Sequence, residues 1–302
     1  MHSAYLLTGA SGFLGKYLAE HLASDGDRVV TLGRSAAADI VCNLSTGIPK
    51  INTQVEVVVH AAGKAHIVPK TEAEKQDFFD VNYQGTVNLC KGLEALPVKP
   101  KAFVFISTVA VYGVDAGENI SEKAVLNGNT PYAKSKIAAE EFLQHWCLEH
   151  GVLLSTLRLP LIAGSRPPGN LGAMITGLQD GKYFNISGGH AKKSVVMASD
   201  IAVWIPVIAG SGGTYNLTDG YHPSFAELAA IIAQQLGKSS PKNIPGWLAT
   251  MMGWAGNLLG NKAPINSNKL QKITATLTFD DSHARKAFGW KPQPVLEAFR
   301  IV

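Results

Sequence analysis

The sequence has few of the features that mark several other classes of protein. Its three cysteines, Cys42, Cys90 and Cys147, are odd in number and far apart. That spacing fits neither a disulfide framework nor a zinc site, and it favours a reducing, cytoplasmic location. The formal charge of +4 is small and dispersed, so nucleic acid is not an expected partner.

Long apolar runs are also missing, and we expect no integral membrane segment. Residues 1–7 are apolar but lead directly into a glycine loop without a basic leader, so they are predicted to form a first strand. Residues 245–260 are shorter than the ~20 residues that span a bilayer. Their apolar positions recur at three and four, which predicts an amphipathic helix packed on the domain or on a partner subunit, with peripheral membrane contact as the alternative.

The remaining pattern predicts an α/β fold with a Rossmann-type doubly wound parallel sheet. Short β-rich runs alternate with helical segments. The runs are residues 4–7, 29–32, 55–60, 103–107 and 153–157, and the helical segments are residues 13–24, 72–96 and 132–150. Residues 1–165 are expected to bind a dinucleotide. Residues 166–302, richer in glycine and proline at first, are expected to form a smaller substrate-capping region, from which the chain can cross back to the main sheet.

A glycine loop, Gly9-x-x-Gly12-x-x-Gly15, follows the first predicted strand and opens a helix. Gly9 would turn the chain tightly, Gly12 would let backbone approach a pyrophosphate, and Gly15 would let the helix pack closely on the sheet. The helix N-terminus would then attract the phosphates through its unpaired N–H groups. This context predicts a nicotinamide dinucleotide site.

The end of the second predicted strand bears on which dinucleotide is bound. A carboxylate there would hold the ribose hydroxyls of NAD, whereas an arginine accommodates the 2′-phosphate of NADP. The strand ends in Gly33-Arg34 with no acid, which favours NADP over NAD. Asp39, farther along, is an alternative that would serve NAD.

Tyr132 and Lys136 form a candidate catalytic pair. A free phenol has a pKa near ~10 and is a poor acid or base at neutral pH unless its phenolate is stabilised. Four residues of helix place Lys136 on the same face as Tyr132, one turn away, where its ammonium can supply that stabilisation. Tyr-x-x-x-Lys is common by chance, so the pair gains its meaning from the glycine loop upstream.

These motifs together resemble the extended short-chain dehydrogenase/reductase superfamily, in its nucleotide-sugar epimerase and reductase branch. The similar segments are residues 8–15, 58–63, 80–86, 107–113 and 158–162. The resemblance implies a triad of Thr108, Tyr132 and Lys136. The cofactor contacts that we expect from the loop and from the resemblance are Gly9, Ser11, Gly12, Phe13, Leu14, Gly15, Arg34, Asn43, Leu44, His60, Ala61, Ala62, Asn82, Ser107, Tyr132, Lys136, Pro160 and Ile162.

The resemblance also implies a nucleoside-diphosphate sugar as substrate and a homodimer built on a four-helix bundle. Expected substrate contacts are Lys64, Thr108, Asn170, Leu171 and Lys193, with His66 beside the cleft. Candidate dimer contacts, which could equally be core, are Leu89, Phe142 and Trp146.

Departures from the family pattern narrow the reaction. Val109 and Ala110 stand where the family's dehydratases carry an Asp-Glu pair, and the related decarboxylases also need an acid there. Simple redox at one carbon remains, as a 4-ketoreductase, which Arg34 favours, or as a 4-epimerase with bound NAD. Two other hypotheses are a non-catalytic dinucleotide-binding regulator and a reductase of steroid- or flavonoid-like alcohols.

Overall fold

A computed structural model describes residues 3–65, 67–257 and 266–301, without the side chains of residues 268 and 269. Its centre is a seven-stranded parallel sheet. The strands are β1 (Ala4–Thr8), β2 (Arg28–Gly33), β3 (Ile40–Val41), β4 (Val57–His60), β5 (Ala102–Thr108), β7 (Leu153–Leu159) and β11 (Gly213–Asn216). Their order across the sheet is β11-β7-β5-β4-β1-β2-β3. The predicted α/β fold with a doubly wound parallel sheet is confirmed.

Helices cover both faces of the sheet, and alternate strand residues enter different cores. Leu7 of β1 packs in one core with α1 (Phe13–Ser24) and α6 (Ala198–Ala209), whereas Leu6 packs in the other with α3 (Gly85–Glu94) and α4 (Pro131–His150). A strand buried on both faces needs apolar residues at every position, which explains the uninterrupted Val57, Val58 and Val59 of β4.

The predicted helix over residues 72–96 is interrupted. The structure has α2 (Glu72–Phe79), a π-helical turn (Asp80–Gln84) and then α3. α2 begins with a capping box at Thr71, whose side chain accepts from the Glu74 N–H. The π turn buries Asn82, and such wide turns occur frequently at functional sites.

The C-terminal part combines a smaller layer with a return to the main sheet. α5 (Gly169–Gln179), α7 (Phe225–Gln235) and α11 (Val295–Ala298) share a separate apolar core. Three two-stranded pairs join it to the rest: β8 (Leu161–Ala163) with β10 (Val195–Met197), β9 (Asn185–Ile186) with β12 (Asn243–Ile244), and β6 (Gly117–Ile120) with β13 (Leu277–Phe279). α6 and β11 belong to the main layer. The division into a dinucleotide-binding domain, residues 1–165, and a substrate-capping region, residues 166–302, stays a prediction.

The remaining helices are α8 (Gly246–Asn257), α9 (Ser267–Thr274) and α10 (Ser282–Phe288). An amphipathic helix packed on the domain or on a partner subunit, with peripheral membrane contact as the alternative, stays a prediction for segment 245–260, and the described part of it is helical. Trp247 and Trp254 are exposed, whereas the small residues Ala249 and Gly253 are buried. Leu258, Leu259 and Gly260 lie outside the described residues.

Two of the three candidate dimer contacts belong to the subunit's own core. Leu89 and Trp146 are buried, and the Trp146 ring packs edge-on against Phe103. Phe142 is half-buried beside Tyr83.

Among the described helices, none is both long and apolar enough to cross a bilayer.

Candidate active site

The carboxyl ends of adjacent parallel strands bring the candidate residues to one edge of the sheet. β1 and β4 are in register with Thr8 opposite His60, and β5 and β7 with Thr108 opposite Leu159. The glycine loop follows β1, and Pro160 follows β7. In open α/β sheets ligands bind at this edge.

The glycine loop is shaped by close backbone contacts. Gly9 has a positive φ of 74°, and a Cβ there would lie 2.6 Å from the backbone nitrogen of Ala62. A Cβ on Gly15 would lie 1.9 Å from the Gly9 carbonyl oxygen, so α1 can pack on the loop only with glycine there. Ser11 and Gly12 are exposed, Phe13 is half-buried, and Leu14 is buried.

This loop fits the pyrophosphate of a dinucleotide. α1 begins after Gly12, and no described side chain caps its first turn, so N–H groups there face outward unpaired. The second loop of the site, after β4, is equally tight. A Cβ on Gly63 would lie 3.1 Å from Asn82 Oδ1 and 3.4 Å from Lys136 Nζ. Both loops therefore leave backbone open to close approach by a ligand.

His60 links three elements beneath the loops through a directed chain of hydrogen bonds. Thr86 Oγ1 donates to the Asn82 carbonyl (2.7 Å), so it must accept from His60 Nε2 (2.9 Å). His60 Nδ1 then accepts from the Thr8 hydroxyl (2.6 Å), which in turn accepts from the Ala62 N–H (3.1 Å). Burial, followed by the nearby Lys136 charge, lowers the pKa of His60 to about 3, which keeps the ring neutral.

Asn82 hydrogen-bonds both to the loop after β4 and to α4, the helix that carries Tyr132 and Lys136. Its Oδ1 accepts from the Lys64 N–H (2.7 Å), and its Nδ2 donates to the Lys64 carbonyl (3.1 Å) and to Ser135 Oγ (2.9 Å). Ser135 Oγ donates to the Tyr132 carbonyl (2.8 Å). The π turn thus gives Asn82 a supporting position beside the triad.

Tyr132 and Thr108 face each other at the end of β5. Thr108 Oγ1 accepts from the Ala110 N–H (3.2 Å), which fixes the hydroxyl at the start of a 3-10 turn. Burial raises the pKa of Tyr132, and a hydrogen bond with the Thr108 side chain opposes that rise. The Tyr132 ring also packs on Phe78, at 6.1 Å between ring centroids.

Lys136 lies one turn farther along α4, and its ammonium is held at strand β5. Its Nζ donates to the Ile106 carbonyl (2.8 Å) and lies 4.6 Å from the Phe105 ring centroid. Burial lowers the pKa of Lys136 to about 8, and the Glu140 carboxylate opposes that shift. The influence of Lys136 on the pKa of Tyr132, which the sequence led us to expect, stays a prediction.

A buried ionic network behind the triad was missed by sequence reasoning. Glu140 accepts from Arg158 Nη2 (2.7 Å) and from Ser107 Oγ in a short hydrogen bond. Arg158 Nη1 reaches the Tyr112 hydroxyl (3.3 Å), which donates to Asn216 Oδ1 (2.7 Å). Ser107, expected to contact cofactor, directs its hydroxyl to Glu140 instead. A readable signal existed, because Glu140 follows Lys136 by four residues on the same helix.

The expected adenosine contacts lie around β2 and β3. Arg34 is exposed at the end of β2. The Asp39 carboxylate accepts from the backbone N–H (2.8 Å) and the hydroxyl (2.7 Å) of Thr31, and these bonds lower the pKa of Asp39. Asn43 is exposed and accepts from Ser45 Oγ, whereas the Leu44 side chain is buried.

The expected substrate contacts are spread around the site. Lys64 Nζ is paired with Asp77 at 2.7 Å, and Lys193 Nζ donates to the Lys272 carbonyl at 3.2 Å. α5 begins at Gly169, so Asn170 is exposed in the first helical turn and Leu171 is buried in the C-terminal core. His66 lies outside the described residues.

The expected cofactor contacts Ala61, Pro160 and Ile162 are half-buried.

Residues 5–217 match the family model described as "NAD dependent epimerase/dehydratase family". The chain belongs to the NAD-dependent epimerase/dehydratase family. It is 28% identical to a UDP-glucose 4-epimerase of Vibrio cholerae, with 98% of this chain and 93% of the relative covered. It is also 28% identical to the N-acetyl-alpha-D-glucosaminyl-diphospho-ditrans,octacis-undecaprenol 4-epimerase of Escherichia coli O157:H7, covering 93% and 88%.

The fold is shared with solved structures of this family. A UDP-glucose 4-epimerase of Thermus thermophilus, solved in complex with NAD, has a TM-score of 0.69 at 21% identity, with 96% of this chain and 94% of that chain covered. The family model and the relatives confirm the resemblance to nucleotide-sugar epimerases and reductases. The chain is an enzyme of this NAD-dependent family.

Proposed function

We propose that this protein is a 4-epimerase of a nucleoside-diphosphate sugar that keeps its nicotinamide cofactor bound through turnover. The observation that carries the proposal is the meeting of Thr108, Tyr132 and Lys136 at the cofactor edge, with the apolar Val109 and Ala110 beside Thr108. Tyr132 is the one group placed to exchange a proton with the substrate, and a single proton exchange is what oxidation or reduction at one carbon requires. The match of nearly the whole chain to 4-epimerases supports epimerisation over net reduction.

Hydride acceptance and return are the chemistry that the nicotinamide supplies when bound. The side chains of the protein handle the proton. Tyr132 takes the proton of the sugar 4-hydroxyl and returns it after the sugar has turned its other face, while Thr108 donates a hydrogen bond to the same oxygen. Because burial raises the pKa of Tyr132, its work as a base requires a positive charge nearby, and Lys136 is the candidate for that charge once it contacts ligand.

The residues that we propose for the cofactor are those of the two tight loops. The first turn of α1 would hold the pyrophosphate, Asn82 would keep the loop after β4 in place, and Lys136 would contact the nicotinamide ribose. Arg34 at the end of β2 would face the adenosine ribose. These roles follow from the exposed backbone of both loops and the position of Arg34.

A second candidate is a 4-ketoreductase that uses NADPH. Two observations favour it. Arg34 ends β2 and can meet a 2′-phosphate, and the Asp39 carboxylate is already engaged by Thr31. A protonated Tyr132 is also the form that a reductase needs to donate to a ketone.

One experiment separates the two candidates. The purified enzyme is incubated with UDP-galactose or UDP-N-acetylglucosamine, and the sugar is followed by NMR with and without added NAD or NADPH. An epimerase interconverts the 4-epimers without net consumption of nicotinamide. Stoichiometric oxidation of NADPH with a 4-keto sugar, and no interconversion of epimers, would establish the reductase instead.

The carrier of the diphosphate is tested in the same assay. The Escherichia coli relative is named for a sugar on undecaprenol diphosphate. A matched polyprenyl-diphosphate sugar in detergent is therefore run beside the nucleotide sugar. We expect faster turnover of the nucleotide sugar, and preference for the lipid-linked sugar would revise the substrate class without changing the chemistry at C4.

A further inference from the structure

Helix α8 presents an apolar face to solvent. Five residues form this face, Trp247, Leu248, Met251, Met252 and Trp254, and we call them the α8 face. Trp247 is 67% exposed, Met251 62% and Trp254 77%. Exposed tryptophans and methionines on one helix are unusual, because large apolar side chains are normally buried and contiguous apolar patches mark binding surfaces.

The outward orientation follows from the helix's other face. Ala249, Gly253 and Gly256 are buried at intervals of four and three residues. A Cβ on Gly253 would lie 3.5 Å from Leu270 Cδ2 on α9, so the small residues allow the two helices to approach closely. The helix is thus held by its small residues, and its large ones remain outside.

The charge of the surrounding segment points to the partner. Residues 228–279 contain five lysines and no arginine, aspartate or glutamate. Lys272 in this segment is paired with Asp115 at 3.2 Å, so part of the positive charge is balanced from outside the segment. Lys242, four residues before α8, is exposed. Tryptophan on an amphipathic helix with lysine around it is the composition of helices that lie in the boundary between lipid headgroups and acyl chains.

We propose that the α8 face docks the enzyme on the surface of an anionic lipid bilayer. The helix has 12 residues, too short to span, but enough to lie in the plane of the interface with its apolar side submerged. A second copy of the chain suits the face less well. A two-fold interface places the same surface of both copies together, so the lysine-rich segments would repel each other.

The docked helix would lie close to the candidate substrate site. α8 packs on α9, and the Lys272 carbonyl on α9 accepts a hydrogen bond from Lys193, an expected substrate contact. This location beside the substrate rests on the proposed function, whereas docking itself does not. Docking would hold the mouth of the site at the membrane surface.

The test uses sedimentation of the full-length enzyme with sucrose-loaded vesicles. Vesicles of phosphatidylglycerol and phosphatidylcholine are compared with phosphatidylcholine alone. We expect about ten-fold stronger binding to the anionic vesicles at low salt, lost at high salt. Trp247 and Trp254 also give a direct signal. Trp146 and Trp290 are buried and Trp204 is half-buried, so binding through the two exposed tryptophans should shift the emission to the blue.

Variants assign the binding to the α8 face. Trp247→Ser with Trp254→Ser should weaken vesicle binding about ten-fold or more, and Lys242→Gln should reduce the preference for anionic lipid. Leu148→Ser is the matched control, because Leu148 is an 84% exposed apolar residue on α4. Turnover of a water-soluble nucleotide sugar should be unchanged in all three, which separates this proposal from the proposed function.

Three outcomes would overturn the proposal. The first is absence of wild-type binding to anionic vesicles. The second is equal binding by the double variant and the wild type. The third is a double variant that loses a dimer in light scattering while its vesicle binding is unchanged, which would assign the α8 face to a second copy.

Discussion

Glu140 and Arg158 form a buried ion pair between the catalytic helix and strand β7, with 2.7 Å between Oε2 and Nη2. The same carboxylate accepts from Ser107, the neighbour of Thr108, and it opposes the burial that lowers the pKa of Lys136. A single acid therefore contacts or influences three elements that build the triad. We interpret Glu140 as a positioning residue.

Removing this charge should destabilise the protein strongly. Glu140→Gln leaves the Arg158 guanidinium buried without its counter-charge, and breaking a buried pair from one side costs about 3–5 kcal/mol. Urea unfolding measures the loss. Glu141→Gln, at the exposed neighbouring position, should cost less than about 0.5 kcal/mol. Equal stability of the two variants would show that the pair does not support the fold.

Tyr132→Phe should remove most of the activity and leave nucleotide binding intact. Loss of a positioned acid–base group lowers rates by about 10²–10⁴-fold. The measurement is kcat for epimer interconversion, together with the affinity for NAD and NADP from fluorescence. Tyr83→Phe is the control, because its ring packs edge-on against Phe142 on the same helix layer. Similar rates for the two variants would remove Tyr132 from the chemistry.

The parts of the site that sequence predicted are those fixed by local backbone. Gly15 is required by its contact with Gly9 within one loop and helix, and Tyr132 and Lys136 are related by one helical turn; the contact of Gly9 with Ala62 joins two loops and is not local. Strand positions followed from apolar runs in the same way. Helical spacing alone places Glu140 one turn after Lys136, but the pairing of Glu140 with Ser107 and Arg158 could not be inferred, because these residues are 33 and 18 positions away and meet it only after the sheet has formed.

The interruption of one predicted helix and the outward orientation of the large residues of another also have physical causes. Residues 72–96 show a continuous helical pattern with no proline, so nothing in the sequence indicates that the helix widens at Asn82. In α8, Ala249 and Gly253 recur at the same helical period as Trp247 and Met251, but on the opposite face. Periodicity defines both faces and does not say which one packs inward; here the close approach of α9 decides it.

His60 should make the protein sensitive to acid. Its pKa is about 3 in the folded chain and near ~6.5 unfolded, so between these values the unfolded state binds a proton that the folded state lacks. Stability is then present above pH ~6.5 and is lost as the pH falls, by roughly 1.4 kcal/mol per pH unit from this one group.

Unfolding free energies measured from pH 7 to pH 4 check this slope. His60→Asn should show a shallower decline than wild type by about one proton, whatever its absolute stability. His145→Gln, at an exposed position, should keep the wild-type slope. Parallel curves for wild type and His60→Asn would mean that His60 is not the buried neutral ring described above.

Gly9→Ala should cost more than backbone strain alone, and Gly151→Ala provides the measure of that strain. Both glycines have positive φ, 74° and 66°, but a Cβ on Gly151 meets nothing within 4 Å, whereas one on Gly9 lies 2.6 Å from Ala62 N and 2.7 Å from the Ala61 carbonyl carbon. Gly151→Ala should therefore lose only about 1–2 kcal/mol. Gly9→Ala should lose more and also weaken nucleotide binding, since the two loops that face the cofactor must separate to admit the methyl group. Urea unfolding and NAD titration measure both effects, and equal losses of stability with unchanged NAD affinity would show that the contact between the loops does not shape the site.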